Sequence, residues 1–360
     1  MLKISLVRSK RELVHISISK LKKEGEKMER FDSSIAFVSQ RLKKALLAVD
    51  LEVKSKTSEI RLRNEQPVML TVSGKSFLLS FDSKAVKRAE DALICKREEL
   101  MDSFNRLCEF SAHSFQNSIA DGFITTHGGH RVGLTGTAVC SADGRVSTVR
   151  DVSSLNIRVA REIRGCADGI LKRVGPEKFK GLIIAGPPSS GKTTVLRDLI
   201  RQLSGLENSE SLKVCAIDER GELAAMKNGI AQNDVGINTD VLTGYPKNSA
   251  ILTAVKTMSP QVIACDEVAT ESEISAIAQG ANSGISFIVT VHASGLDELV
   301  RRSQVERLVD IGCFENIVLL KGGGEPGKIE NIYEAGEIKD EIYRRRFGLA
   351  CGNGLRSDAC

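Results

Sequence analysis

Gly186-Pro187-Pro188-Ser189-Ser190-Gly191-Lys192-Thr193 satisfies the pattern G-x-x-x-x-G-K-[ST] at every fixed position. An apolar run, Leu182 to Ala185, enters this stretch, and Thr194-Val195-Leu196-Arg197-Asp198-Leu199-Ile200 leaves it with helical spacing. Strand, glycine-rich loop and helix together predict a phosphate cradle. The glycines let the backbone curl, and the helix start offers free N–H groups and a positive dipole end. The expected ligands are ATP and Mg²⁺. Lys192 is expected at the β- and γ-phosphates and the Thr193 hydroxyl on the metal, and Thr194 belongs to the same cofactor-binding set.

Working outward, short apolar runs alternate with helical segments from Gly181 onward: Val214 to Ile217, Val262 to Cys265, Phe287 to Val291 and Ile317 to Leu320. Nearly unbroken apolar strands separated by helices predict an α/β domain, with a mainly parallel sheet covered on both faces. Ligand-binding groups of such a sheet gather at the carboxyl ends of its strands. Three of those ends carry polar chemistry. Val262 to Cys265 ends in Asp266-Glu267, which predicts Asp266 beside the metal and Glu267 orienting the attacking water. Val214 to Ile217 ends in Asp218-Glu219-Arg220-Gly221-Glu222. There Glu219 could share the water-positioning role, or Glu219, Arg220 and Glu222 could form a surface salt-bridge cluster. Phe287 to Val291 ends in His292, on the strand expected beside the P-loop strand, where it could sense a γ-phosphate or serve a structural role.

Before Asp151 the pattern is different. Ile35, Val38, Leu42, Ala45 and Leu46 recur at helical spacing, and Glu59 to Leu79 switches to a period near two around a Ser73-Gly74 turn. Residues 84 to 120 read as helical. A second hairpin runs Phe123 to Thr126 and Arg131 to Val139 through Gly128-Gly129, and a short strand covers Val146 to Val149. The expected layout is a smaller α+β domain over 1–150 with a basic arm or helix over 1–30, and a linker over 151–175. A P-loop domain follows over 176–336, with a poorly ordered tail over 337–360.

Composition sets the frame. The 360 residues are 41% hydrophobic and 27% charged, as suits a globular protein. Aromatic content is 4% with no Trp, so the cores must be aliphatic. Net charge of +5 is too mild to argue for nucleic acid. No apolar run reaches membrane-span length and the N-terminus lacks a signal-peptide stretch. Nine cysteines, an odd number with no CxxC pair, argue against a disulfide framework or zinc site and for a reduced, cytoplasmic setting.

The P-loop, the Asp-Glu-Arg-Gly-Glu strand end, the Asp-Glu strand end preceded by Met258-Ser259-Pro260, and the Thr290-Val291-His292-Ala293 strand end occur in this order. Together they resemble the secretion-ATPase branch of RecA-like motors, which drives type II secretion and type IV pili, with its Walker A, Asp box, Walker B and His box. Within that branch the narrower likeness is to the stage III sporulation AA family of endospore-forming bacteria. It is carried by Glu59-Ile60-Arg61-Leu62-Arg63 with Gln66-Pro67, Gly128 to Leu134, Leu155 to Glu162, Gly165-Cys166-Ala167-Asp168, and Asn238 to Leu242 with Pro246-Lys247, over roughly residues 55 to 335. The resemblance implies a RecA-like P-loop domain and a cytoplasmic, hexameric, Mg-dependent ATPase on the mother-cell side, peripheral to the membrane. It would energise membrane proteins of a channel complex between mother cell and forespore. It also implies arginines from the N-terminal domain completing neighbouring ATP sites, with Arg61, Arg63 and Arg131 at the matching positions. Two positions depart from the family pattern. Ser189 stands where glycine is frequent, and Lys256 replaces an arginine, a point charge in place of a bidentate fork.

Two other functions compete. One is a nucleic-acid-binding P-loop ATPase, since plastid and cyanobacterial relatives add a single-stranded nucleic-acid module and this chain carries Arg344-Arg345-Arg346. No aromatic stacking platform accompanies that charge, so nucleic acid is not the expected partner. The other is an assembly scaffold that binds ATP with little turnover.

Overall fold

A computed structural model of the chain describes residues 29–175, 179–205, 211–322 and 327–347. The chain divides into two compact units after Arg161.

The first unit holds β1 (Thr57–Arg63), β2 (Gln66–Pro67), β3 (Met69–Val72), β4 (Lys75–Leu79), β5 (Ala85–Val86), β6 (Ile94–Cys95), β7 (Phe123–Thr125), β8 (Arg131–Cys140) and β9 (Val146–Arg158). Seven of these form one sheet in the order β5-β4-β3-β1-β9-β8-β7. Its pairings are all antiparallel. Alternation decides its faces. Ile60 and Leu62 of β1, Leu155 and Ile157 of β9, and Val132 and Leu134 of β8 are buried in one core with Leu42, Leu46, Leu100 and Phe104 of the helices Gln40–Leu47 and Arg97–Leu107. The Ser73-Gly74 turn has φ of 49° and 79°, the paired positive values that match hairpin twist.

Three expectations need correction here. The strand expected over Val146 to Val149 continues to Arg158, so part of the stretch assigned to a linker is sheet. Its polar residues (Ser153, Ser154, Asn156) lie on an otherwise apolar-in strand and mask the period in the sequence. Residues 84–96 are not α-helical: Ala85–Val86 and Ile94–Cys95 add short strands, with a single 3₁₀ turn at Ala89–Asp91 between them. The tail expected from 337 is helical over Ala335–Phe347, with Ile338 and Ile342 one turn apart and buried in the second unit's core. The basic arm lies outside the described residues except for Glu29 and Arg30.

The second unit holds β10 (Leu182–Gly186), β11 (Val214–Asp218), β12 (Thr239–Thr243), β13 (Val262–Cys265), β14 (Ser286–His292), β15 (Asn316–Leu320) and β16 (Ile329–Glu334). The sheet order is β12-β11-β13-β14-β10-β15-β16. Every neighbour is parallel except the β15–β16 hairpin. Ile183 and Ala185 of β10 enter one core, whereas Leu182 and Ile184 enter the other. Side chains pointing both ways are therefore buried, which is why these strands read as continuous apolar runs. The helix Lys192–Leu203 packs Val195, Leu196 and Leu199 into the second of these cores. β14 lies between the P-loop strand β10 and the acid-tipped strand β13. That order sets the site.

Candidate functional site

β10 ends at Gly186, and the parallel register puts Gly186 opposite His292, the last residue of β14. A Cβ at Gly186 would lie 2.5 Å from Ser190 Oγ and 3.1 Å from the Leu320 Cβ, so the loop can close only over glycine. The backbone turns left-handed at Ser189 (φ 62°) and Gly191 (φ 89°). The serine carries there a cost of about 1 kcal/mol that a glycine would avoid. The following helix has no side-chain cap and no acidic residue in its first turn, so its N–H groups and dipole face the loop unneutralised. Ser190 Oγ is buried with no hydrogen-bond partner. An uncapped helix start, a curled backbone and an unpaired hydroxyl fit a polyphosphate.

Lys192 is 8% exposed and donates to the carbonyls of Gly186 and Pro187, both at 2.9 Å. Burial pushes its ammonium below the usual lysine range, against the opposing pull of Asp266 and Glu267. Its Nζ also lies 3.2 Å from His292 Nδ1. Thr193 Oγ1 donates to Asp266 Oδ2 at 2.6 Å, joining the P-loop helix to the end of β13. Among the described residues no three His, Cys, Asp or Glu side chains could hold a metal ion by themselves. A magnesium ion keeps water and phosphate ligands and needs few from protein, so the Thr193–Asp266 pair fits it as a partial ligand set.

Glu267 sits beyond Asp266 with both carboxylate oxygens engaged. Oε1 lies 3.3 Å from His292 Nε2, and Oε2 lies 2.8 Å from Arg220 Nη1. The expected residues Lys192, Thr193, Asp266, Glu267 and His292 are thus brought together around the ends of β10, β13 and β14. Glu219 lines the same pocket as Asp266 and Glu267, and its Oε2 is 3.4 Å from Lys247 Nζ. Asp218, 3% exposed, is spent on backbone. Its carboxylate accepts from the N–H groups of Glu222, Leu223 and Ala224 at 2.7 to 3.0 Å. Lys256 is exposed near the end of the helix Lys247–Thr257. Arg61, Arg63 and Arg131 share the open face of the first unit's sheet. Arg61 pairs with Glu59 at 2.5 Å, Arg63 donates to Met69 Sδ at 2.9 Å, and Arg131 stacks 3.9 Å over Phe123.

Two residues of the site escape sequence reading. Thr290 is wholly buried, donates to Asp266 Oδ1 at 2.5 Å and accepts from Glu267 N–H at 2.7 Å. Its signal was a hydroxyl inside the apolar run Val289-Thr290-Val291. Lys247 donates to the Glu267 carbonyl at 2.8 Å; the sequence marked it only within the Pro246-Lys247 part of the family resemblance, with no role at the site.

A family model for "Sporulation stage III, protein AA" matches residues 28–339. The chain belongs to this family. Stage III sporulation protein AA of Bacillus subtilis (strain 168) is 32% identical over 294 residues, covering 81% of this chain and 92% of that protein. Protein SEEDLING PLASTID DEVELOPMENT 1 of Arabidopsis thaliana is 25% identical over 49% of this chain, but the match spans only 25% of that longer protein. The crystal structure of the pilus retraction motor PilT with bound ADP superposes with a TM-score of 0.54 at 15% identity, covering 86% of this chain and 87% of that one. At that identity the likeness is one of fold. This stage III AA family member therefore carries a RecA-like P-loop domain, preceded in sequence by an α+β unit. Among the described residues no helix is long and apolar enough to cross a membrane.

Proposed function

We propose that this protein is a Mg-dependent ATPase that energises a membrane-spanning complex during endospore formation. The observation that carries the reading is the 2.6 Å bond from Thr193 to Asp266, which joins a phosphate-binding helix start to an acidic strand end. Thr193 and Asp266 would hold Mg²⁺, which when bound would supply positive charge against the charge developing on the phosphates. Lys192 binds the β- and γ-phosphates by exchanging its loop carbonyls for phosphate oxygens. Glu267, at the adjoining position, accepts a hydrogen bond from the attacking water and orients it. His292, between Lys192 and Glu267, senses the γ-phosphate. Support for Glu267 over Glu219 in this role comes from its place directly after Asp266, which is bonded to Thr193, and from its approach to His292 at 3.3 Å.

Support for the sporulation role comes from family membership. A ring, six-fold by the branch's pattern, acting from the mother-cell cytoplasm on membrane partners is part of the same proposal. In that ring Arg61, Arg63 and Arg131 complete a neighbour's site. The nucleic-acid reading is weakened by Arg345 and Arg346, which pair with Asp297 at 2.6 Å and Glu306 at 2.5 Å. Glu267→Gln tests the chemistry: it should retain ATP binding and lower phosphate release by about 10²-fold or more. Unchanged phosphate release would refute the assignment of Glu267, and wild-type protein that binds ATP without turnover would favour a scaffold.

A further inference from the structure

Adjacent residues of an extended strand point to opposite faces, yet Asp266 and Glu267 both serve the same site. Asp266 reaches Thr193 and Glu267 reaches His292. The backbone explains how. Glu267 lies in the left-handed region at φ 54°, so the chain turns between the two acids and brings the second carboxylate back toward the first. A glutamate does not choose that region unaided, since it is disfavoured for residues with a Cβ. Something must hold it.

Both backbone groups of Glu267 are held by side chains from other elements. Its N–H donates to Thr290 Oγ1 at 2.7 Å, and its carbonyl accepts from Lys247 Nζ at 2.8 Å. Thr290 is wholly buried in the middle of β14, and its own hydroxyl proton goes to Asp266 Oδ1. The single hydroxyl thus fixes both acids at once. Lys247 is 7% exposed at the start of its helix, with Glu219 Oε2 at 3.4 Å and Glu273 Oε1 at 3.6 Å. A buried lysine is tolerated only when paired. Here the two carboxylates balance its charge while one N–H remains for the Glu267 peptide. Glu273 is fixed in turn, accepting from the N–H groups of Ala269 and Thr270 at the start of the helix Glu271–Asn282.

We propose that Lys247 and Thr290 are positioning residues that lock the Glu267 peptide in its left-handed turn and thereby aim the Glu267 carboxylate at the attacking water. This deepens the ATPase reading above and rests on it. Neither residue touches the reacting atoms. They set where the acid that does so can stand.

The test uses full-length protein with Lys247→Met, Thr290→Val and Thr290→Ser. In the absence of nucleotide, hydrogen exchange at the Glu267 amide should quicken by about tenfold in Lys247→Met and Thr290→Val, while the helix Lys192–Leu203 keeps its protection. With ATP and Mg²⁺, kcat should fall by about tenfold or more in both variants, and affinity for ATP without Mg²⁺, which does not draw on Asp266, should stay within about threefold. Thr290→Ser, which keeps the hydroxyl, should restore exchange and kcat. The proposal is overturned by wild-type exchange at Glu267 in the variants, by kcat within about twofold of wild type, or by affinity falling in step with kcat. If Lys247→Met does not fold, the Thr290 pair carries the test. Wild-type protein that binds ATP but releases no phosphate would instead remove the ATPase reading itself, and the proposal with it.

Discussion

Replacing Asp218 by alanine separates two roles for the acid at the end of β11. Its carboxylate caps the loop that follows, taking three backbone N–H groups at 2.7, 3.0 and 2.9 Å. Arg197, one turn into the P-loop helix, holds the same loop from the other side by donating to the carbonyls of Leu223 and Glu222. Hydrogen bonds to a charged acceptor contribute about 1.5–3 kcal/mol each, but the space left by truncation to alanine can admit water that satisfies part of the released N–H groups. About 1 kcal/mol per N–H is a fair working value, so Asp218→Ala should cost about 3 kcal/mol. For a unit of this size that lowers Tm by about 6–12 °C. Asp218→Asn keeps Oδ1 with its two bonds and turns an NH₂ toward Ala224 N–H, so its loss should be smaller, about 1–2 kcal/mol. Scanning calorimetry resolves the answer, because ATP with Mg²⁺ raises the transition of the unit that binds it and so identifies that unit. If both variants melt within about 1 °C of wild type while phosphate release collapses, Asp218 acts in the chemistry and the capping argument is wrong.

Three further outcomes follow from the geometry. Lys192→Ala should weaken ATP binding by about tenfold or more, read by titration with a fluorescent ATP analogue, because it removes the charge nearest the loop carbonyls. Gly280→Ala places a methyl 2.5 Å from Phe287 Cζ and 3.0 Å from Cε2; the overlap outweighs the helix-propensity gain of about 1 kcal/mol, so urea unfolding should show a net loss. His130 is wholly buried, accepts from Ala160 N–H and meets Ser33 Oγ, and burial lowers its pKa to about 4. The unfolded imidazole then takes up a proton that the folded one refuses. The first unit should therefore lose stability as pH falls from about 6.5 toward 4, by up to about 3 kcal/mol. Urea midpoints should show that slope, and His130→Gln should flatten it.

What the sequence disclosed was whatever physics writes locally. β10, β11, β13 and β14 announce themselves because both faces are buried, so each reads as an unbroken apolar run. The edge strand β12 hides, since its Thr239, Asp240 and Thr243 are partly or fully open to solvent. β9 hides for a related reason, its polar side chains lying toward the open face of the first unit's sheet. Within the site, Gly186 to Thr193, Asp266, Glu267 and His292 were legible because a loop pattern and strand ends mark them. Lys247 was not. Its place depends on a helix start, two carboxylates and a strained peptide meeting from four elements, and no local pattern encodes such a meeting. The tail misled because Ile338 and Ile342 are sparse among charges, yet two apolar residues one turn apart suffice to seat a helix.

The position of β14 has a consequence for how this domain can change. One strand meets the P-loop through His292, opposite Gly186, and meets both acids through Thr290, two residues earlier. Residues two apart share a strand face, so a one-residue slip of β14 would turn both away together. Substitution elsewhere on the strand is answerable to packing alone. At these two positions binding and turnover are tied to a single register, and drift at one would be felt at the other.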